Sequence, residues 1–221
     1  MKVPVFNTAE ELVAFVQQLL QERKMEEAAA CVENVDEKFT ENAIAQHLAG
    51  LVHERTYLEE AARGQSPPLD LYSRAERHYR KAFEVDPANA GVHGPRLYTA
   101  LFVLGTQTAD VKRLDDARRL AGHLKESTDP QVKDIYSREE AIATTALARA
   151  TGEEEDWRAA EKLFDQLKAP ESGREAFFFH FYRGMTKRER GQSQTDEQAL
   201  REAIRSFRHA RAEQKIGRAH V

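Results

Sequence analysis

The sequence predicts an all-α protein, a right-handed solenoid of about five antiparallel helix-turn-helix repeats. Three observations predict it. One spacing of large apolar and small residues recurs five times along the chain, helix-start and helix-stop residues punctuate the recurrences, and the composition is that of a helix-rich chain. Of 221 residues, 41% are apolar and 32% charged, with only seven prolines and eleven glycines.

The recurring spacing is clearest in residues 74 to 89, "RAERHYRKAFEVDPAN". Ala75, Tyr79 and Ala82 stand at i, i+4 and i+7 and so share one helix face, which Tyr72 extends; Pro87 then ends the helix. Small residues allow a neighbouring helix to come close, and the aromatic fills the gap between them. This is a packing device rather than the wall of a substrate cavity. The same pattern of a large apolar residue, Ala three later, then positions four and seven beyond that Ala occurs in five sets. They are Met25, Ala28, Val32, Val35; Tyr72, Ala75, Tyr79, Ala82; Leu114, Ala117, Ala121, Leu124; Trp157, Ala160, Phe164, Leu167; and Leu200, Ala203, Phe207, Ala210. A second helical pattern lies upstream of each. Leu104-Gly105 and Leu147-Ala148 place a small residue twelve positions before the anchors Ala117 and Ala160.

In these residues the chain resembles the tetratricopeptide repeat family, whose first helix carries a Leu-Gly pair and whose second carries the Ala, aromatic, Ala and Pro spacing. The resemblance covers residues 8 to 214. Its anchor alanines, Ala28, Ala75, Ala117, Ala160 and Ala203, are 47, 42, 43 and 43 residues apart, longer than the family's period of about 34. A HEAT-like array has a nearer period but lacks the Ala, aromatic and Pro spacing.

The repeats are expected at about 8–38, 41–87, 94–129, 130–170 and 173–214. Residues 1 to 7 read as an amino-terminal leader, and Thr8 with Glu11 forms a capping box that opens the first helix. The second repeat is lengthened by a helix expected from Glu41 to Arg63, with Thr40 as its N-cap, and by the turn "GQSPPLD". The fourth gains a long first helix that begins at Asp129-Pro130 and stops at Gly152; the fifth gains the turn "GQSQTD". The final "IGRAHV" is the in-frame translation of ATC GGA AGA GCA CAC GTC, a widely used sequencing adapter. Residues 215–221 are therefore expected to be adapter-derived and the gene to be truncated after Gln214.

The formal charge is −4, which argues against general nucleic-acid binding. It is unevenly spread. Residues 1 to 62 hold 12 acidic and 5 basic side chains, and residues 172 to 214 hold 6 acidic and 9 basic, a distribution read mainly as solvated helix faces. No apolar run is long enough to span a bilayer and no secretory leader pattern is present, so a cytoplasmic protein is expected.

Residues that carry chemistry do not assemble into a motif. Cys31 lies in apolar-periodic surroundings and reads as core; there is no phosphate-binding glycine loop, nucleophile elbow or Cys-x-x-Cys. His47 and His53, six apart, fall on different sides of a helix, His180 reads as a packed histidine, and Glu153 to Asp156 offset a helix dipole. The expectation is no catalytic residue, no metal, no cofactor and no enzyme activity.

What the resemblance implies is binding. First helices of tetratricopeptide repeats line a concave groove, and the corresponding positions are Val13 and Gln17, His47 and Leu51, Phe102 and Thr106, Thr145 and Arg149, Phe181 and Met185. Within "EAFFFHFYRGMTKRER", Phe178, Phe181 and Met185 fall on the groove side with Arg188 one turn on; the alternative is that all these aromatics are core. The candidate partner-binding set is thus His47, Leu51, Phe102, Thr106, Arg149, Phe178, Phe181, Met185 and Arg188. Lys and Asn are absent from it, which excludes the acidic carboxy-terminal tails of chaperones as ligand. The expected function is a scaffold holding a partner peptide or helix. The alternatives are a docking or regulatory region of a longer, truncated enzyme and, less favoured, an RNA-binding array. Loss of a following repeat would leave Ile204 and Phe207 uncovered and promote self-association.

Overall fold

The computed structural model describes residues 4–33, 35–64, 68–127 and 129–219, with side chains to residue 213. The turn "GQSPPLD" and the adapter-like tail therefore fall in part outside the described residues. All regular structure among the described residues is helical, in eleven α-helices and one 3-10 turn. The chain forms two compact units, the first ending at Leu104 and the second beginning at Gly105.

In the first unit, α1 (Ala9–Gln21) starts at Thr8, whose hydroxyl accepts from Glu11 N at 3.2 Å; the Glu11 carboxylate accepts in return from Asn7 N at 2.9 Å. Two of the free amides of the first turn and its approach are thereby satisfied. After α2 (Met25–Val32) and the short α3 (Val35–Lys38) comes α4 (Ala43–Ala62). The cap of α4 is Asn42, which accepts from Ala45 N at 2.9 Å, and not the expected Thr40. The hydroxyl of Thr40 is diverted to the carbonyl of Asp36 one turn back, which delays the helix start. α5 (Leu69–Val85) ends before Pro87, as its sequence requires, and a 3-10 turn (Pro87–Asn89) leads into α6 (Ala90–Thr108).

The core of this unit gathers Leu12, Val16 and Leu19 of α1, Ala28 and Val32 of α2, and Leu48, Ala49 and Val52 of α4. Beyond it, α5 lies against α4. Tyr79 packs on Gly50 so closely that an added methyl would stand 2.7 Å from the ring, and its hydroxyl donates to Glu54 at 2.5 Å. Arg96 donates to the same carboxylate at 2.9 Å. The buried acid is therefore paired and bonded on both sides.

In the second unit, α7 (Val111–Leu124) is capped by Asp110 and α8 (Pro130–Thr151) by Asp129 with Pro130 in the first turn. α8 stops at Gly152, whose φ of 75° lies in the left-handed region that favours glycine. α9 (Glu154–Asp165), α10 (Gly173–Gln194) and α11 (Glu197–Ala219) follow. Contacts run between chain neighbours, α7 with α8, α8 with α9, α9 with α10 and α10 with α11, and also between α8 and α10.

The anchor alanines read from the sequence are buried. Ala28, Ala75, Ala117 and Ala160 are fully inaccessible and Ala203 is 2% exposed. Two glycines, seven residues apart on α10, face α11: a methyl on Gly184 would meet Phe207 at 2.9 Å and one on Gly191 would meet Leu200 at 2.8 Å. Gly105 approaches Leu114, nine residues further on, as Gly191 approaches Leu200. Close approach at these points is what lets each second helix seat its large residue against its first. No helix among the described residues is long and apolar enough to cross a membrane.

Candidate functional site

The site is built on α8 and α10 of the second unit. On α10, Phe181, Met185 and Arg188 stand at i, i+4 and i+7 and share one face. The opposite side of that helix is held by ions. Lys187, 8% exposed, bonds Glu161 at 3.0 Å and lies near Asp165 and Glu202, while Arg190 bonds Glu161 at 3.1 Å. Burial alone would push the Lys187 ammonium down, but the Glu161 hydrogen bond and the three carboxylates outweigh it and hold its pKa above the usual lysine value. These pairs fix the rotation of α10 and so the direction in which Phe181 and Met185 point.

That direction is a cleft of about 450 Å³. Arg149 and Ala148 of α8, Gly152, Trp157 of α9, Phe181, Met185, Arg188 and Glu189 of α10 and Phe207 of α11 line it. Four predicted residues, Arg149, Phe181, Met185 and Arg188, are thus brought together. Arg149 also lines a second cleft, of about 210 Å³, with Thr106 and Tyr182, so a fifth predicted residue lies on the same strip of surface. Phe181 is half-buried, its ring 6.2 Å from that of Phe207 and 5.9 Å from that of Phe177. Arg188 is paired with its neighbour Glu189. Arg149 is exposed, and among the described residues no carboxylate lies within ion-pair distance of it.

Other predicted positions lie elsewhere. Phe178 is not on the cleft wall; the Arg174 guanidinium lies 5.5 Å over its ring and Tyr182 stacks beside it. Thr145, expected to face a groove, is fully buried and shares a hydrogen bond of 3.0 Å with Thr186, because α8 and α10 pack together there. His47, Leu51 and Phe102 belong to the first unit. His47 touches His93, Leu51 is half-buried one turn further along α4, and Phe102 stacks on Tyr98 with ring centroids 6.0 Å apart.

Trp157 and Phe207 reach the cleft although their spacing marked them as packing residues. Phe207, expected to be left bare, covers Gly184 instead, while Ile204 remains 51% exposed. A signal was available, since Trp157 follows the Gly152 stop closely enough to sit by the turn that joins α8 to α9. Among the described residues no three or more His, Cys, Asp or Glu side chains converge as metal donors. No family model, curated protein or solved structure matches this chain.

Proposed function

We propose that the protein is an interaction module of tetratricopeptide-like helical hairpins that holds a peptide or helix of a partner protein in the α8–α10 cleft. The observation that carries this reading is the seating of Arg149, without a carboxylate partner among the described residues, beside an apolar floor of Phe181, Met185, Trp157 and Phe207. Aromatic and arginine side chains in a concave site are the usual anchors of protein interfaces. The buried anchor alanines and the glycine contacts support the repeat reading. In this function the second unit binds by anchoring apolar side chains, and Arg149 and Arg188 set the orientation of the bound segment.

The test is selection of peptides from a displayed library on the intact chain, followed by calorimetric titration of the selected peptides. Phe181→Ala should weaken binding by about 2 kcal/mol or more while denaturant unfolding changes much less. Peptides that bind Phe181→Ala and the unaltered chain equally would remove the cleft from the binding site.

A further inference from the structure

Four histidines stand in the first unit as two touching pairs, and the cleft of the second unit uses none of them. His53 of α4 and His78 of α5 stack almost parallel, with ring centroids 5.3 Å apart. Both are buried. His78 Nδ1 lies 2.8 Å from Gln46 Oε1, an oxygen that only accepts, so this nitrogen carries the proton and donates. His53 Nδ1 is buried without a hydrogen-bond partner. The second pair is His47 of α4 and His93 of α6, whose Nδ1 atoms are 3.1 Å apart. At that distance one nitrogen donates and the other must be bare.

Such contacts suit neutral imidazoles and oppose charged ones. A protonated imidazole is a donor at both nitrogens. Charging would give His53 a buried N–H with nothing to receive it, and charging both members of the His47–His93 pair would point two N–H groups at each other. Stacked His53 and His78 would repel.

We propose that these two histidine pairs make the first unit acid-sensitive: when the imidazoles charge, α4 separates from α5 and α6, and the first unit opens while the second keeps its fold.

The charges around the pairs support this direction. On α5, Arg74 and Arg77 disfavour the charged form of both His53 and His78, and Asp36, at the start of α3, opposes them from 3.4 Å of His78 Nδ1. Asp36 is half-exposed, which weakens its effect. On α6, Arg96 and His93 disfavour charge on His47. The Asp86 carboxylate faces His93 Nε2 at 3.8 Å, and Glu54 is already engaged by Tyr79 and Arg96. α1 and α2 meet α4 through apolar side chains and Cys31. Burial first, then these neighbours, pushes His47 and His53 down to about 4, and His78 is lowered as well.

The folded values lie below the unfolded one. The stability these groups contribute is therefore complete above pH about 6.5 and is lost as pH falls toward the folded values. At pH 5, the ratio of folded to open first unit drops by about 30-fold for each of His47 and His53. The second unit has a weaker version, His180 stacked on the exposed His209, with Glu213 favouring charge.

The experiment is hydrogen exchange by mass spectrometry on the intact chain from pH 7.5 to 4.5, corrected for intrinsic rates, with an NMR titration of the histidine side chains. Peptides from α4, α5 and α6 should lose protection between pH about 6 and 5, while those from α8 and α10 keep theirs. His53→Phe and His47→Phe retain a ring but cannot charge. Each should shift the opening to lower pH and lower the proton uptake on opening by about one. If either variant fails to fold, the NMR titration of the unaltered chain decides. His47 and His53 titrating near the ordinary 6.5 without loss of structure would overturn the proposal, as would simultaneous opening of both units or an opening pH unmoved in the double variant.

Discussion

Gly184 and Phe207 approach so closely that a methyl group on the glycine would stand 2.9 Å from the phenylalanine ring. The contact joins α10 to α11 and forms one edge of the cleft, because the ring that covers the glycine also faces Phe181. Structure and site therefore share an atom-to-atom constraint at this point.

Gly184→Ala should destabilise the second unit by about 1 kcal/mol, since Phe207 is half-buried and its ring has room to swing. Gly50→Ala should cost more, about 2 to 3 kcal/mol, because its methyl would strike Tyr79, which is fully buried and tethered to Glu54. Denaturant unfolding of the two variants checks the order; equal losses would mean that ring mobility does not matter.

Trp157→Ala should cost about 3 to 5 kcal/mol, the usual loss for truncating a large buried aromatic. The side chain is only 9% exposed and spans the end of α9 at the cleft. Hydrogen exchange should loosen α8 to α10 and leave α1 to α4 unchanged. Uniform loosening along the chain would show that the two units unfold as one block.

Glu54→Ala should destabilise the first unit by about 2 to 3 kcal/mol, because it leaves the buried Tyr79 hydroxyl without its acceptor. Glu54→Gln keeps an acceptor for that hydroxyl and should recover about half of the loss. Thermal melts of both variants, each with and without Tyr79→Phe, measure the coupling; additive losses would mean that the pair is energetically independent.

The acid response of the second unit should come at lower pH and from carboxylates. Burial raises the Glu161 pKa, but the hydrogen bonds and charges of Lys187 and Arg190 outweigh it and hold it below the usual 4.5. A depressed acid contributes stability above its unfolded value and loses it as pH falls through the folded one. Glu161→Gln should therefore destabilise the second unit at pH 7, and the difference should shrink as pH falls from 4.5 through the folded value. A loss of the same size throughout would assign the effect to packing.

Local signals in the sequence determined most of the secondary structure. Thr8, Asp110 and Asp129 cap their helices, Gly152 and Pro87 end theirs, and the five anchor alanines are buried where a 3.6-residue period puts them. These features depend on neighbours within one or two turns, so the chain itself specifies them. The placement of Phe181, Met185 and Arg188 on one face was legible for the same reason.

Tertiary structure decided which face meets which neighbour. Spacing puts Thr145 and Arg149 one turn apart on the same side of α8, yet Thr145 is sealed against Thr186 and Arg149 lies open in the cleft. It also decided the histidine pairs, for His47 and His93 are 46 residues apart and nothing in their local sequence refers to the other. Periodicity determines the direction of a side chain about its own helix axis. Which atoms it touches depends on the packing of a second helix, and that is set by the sum of many weak contacts distributed over the unit.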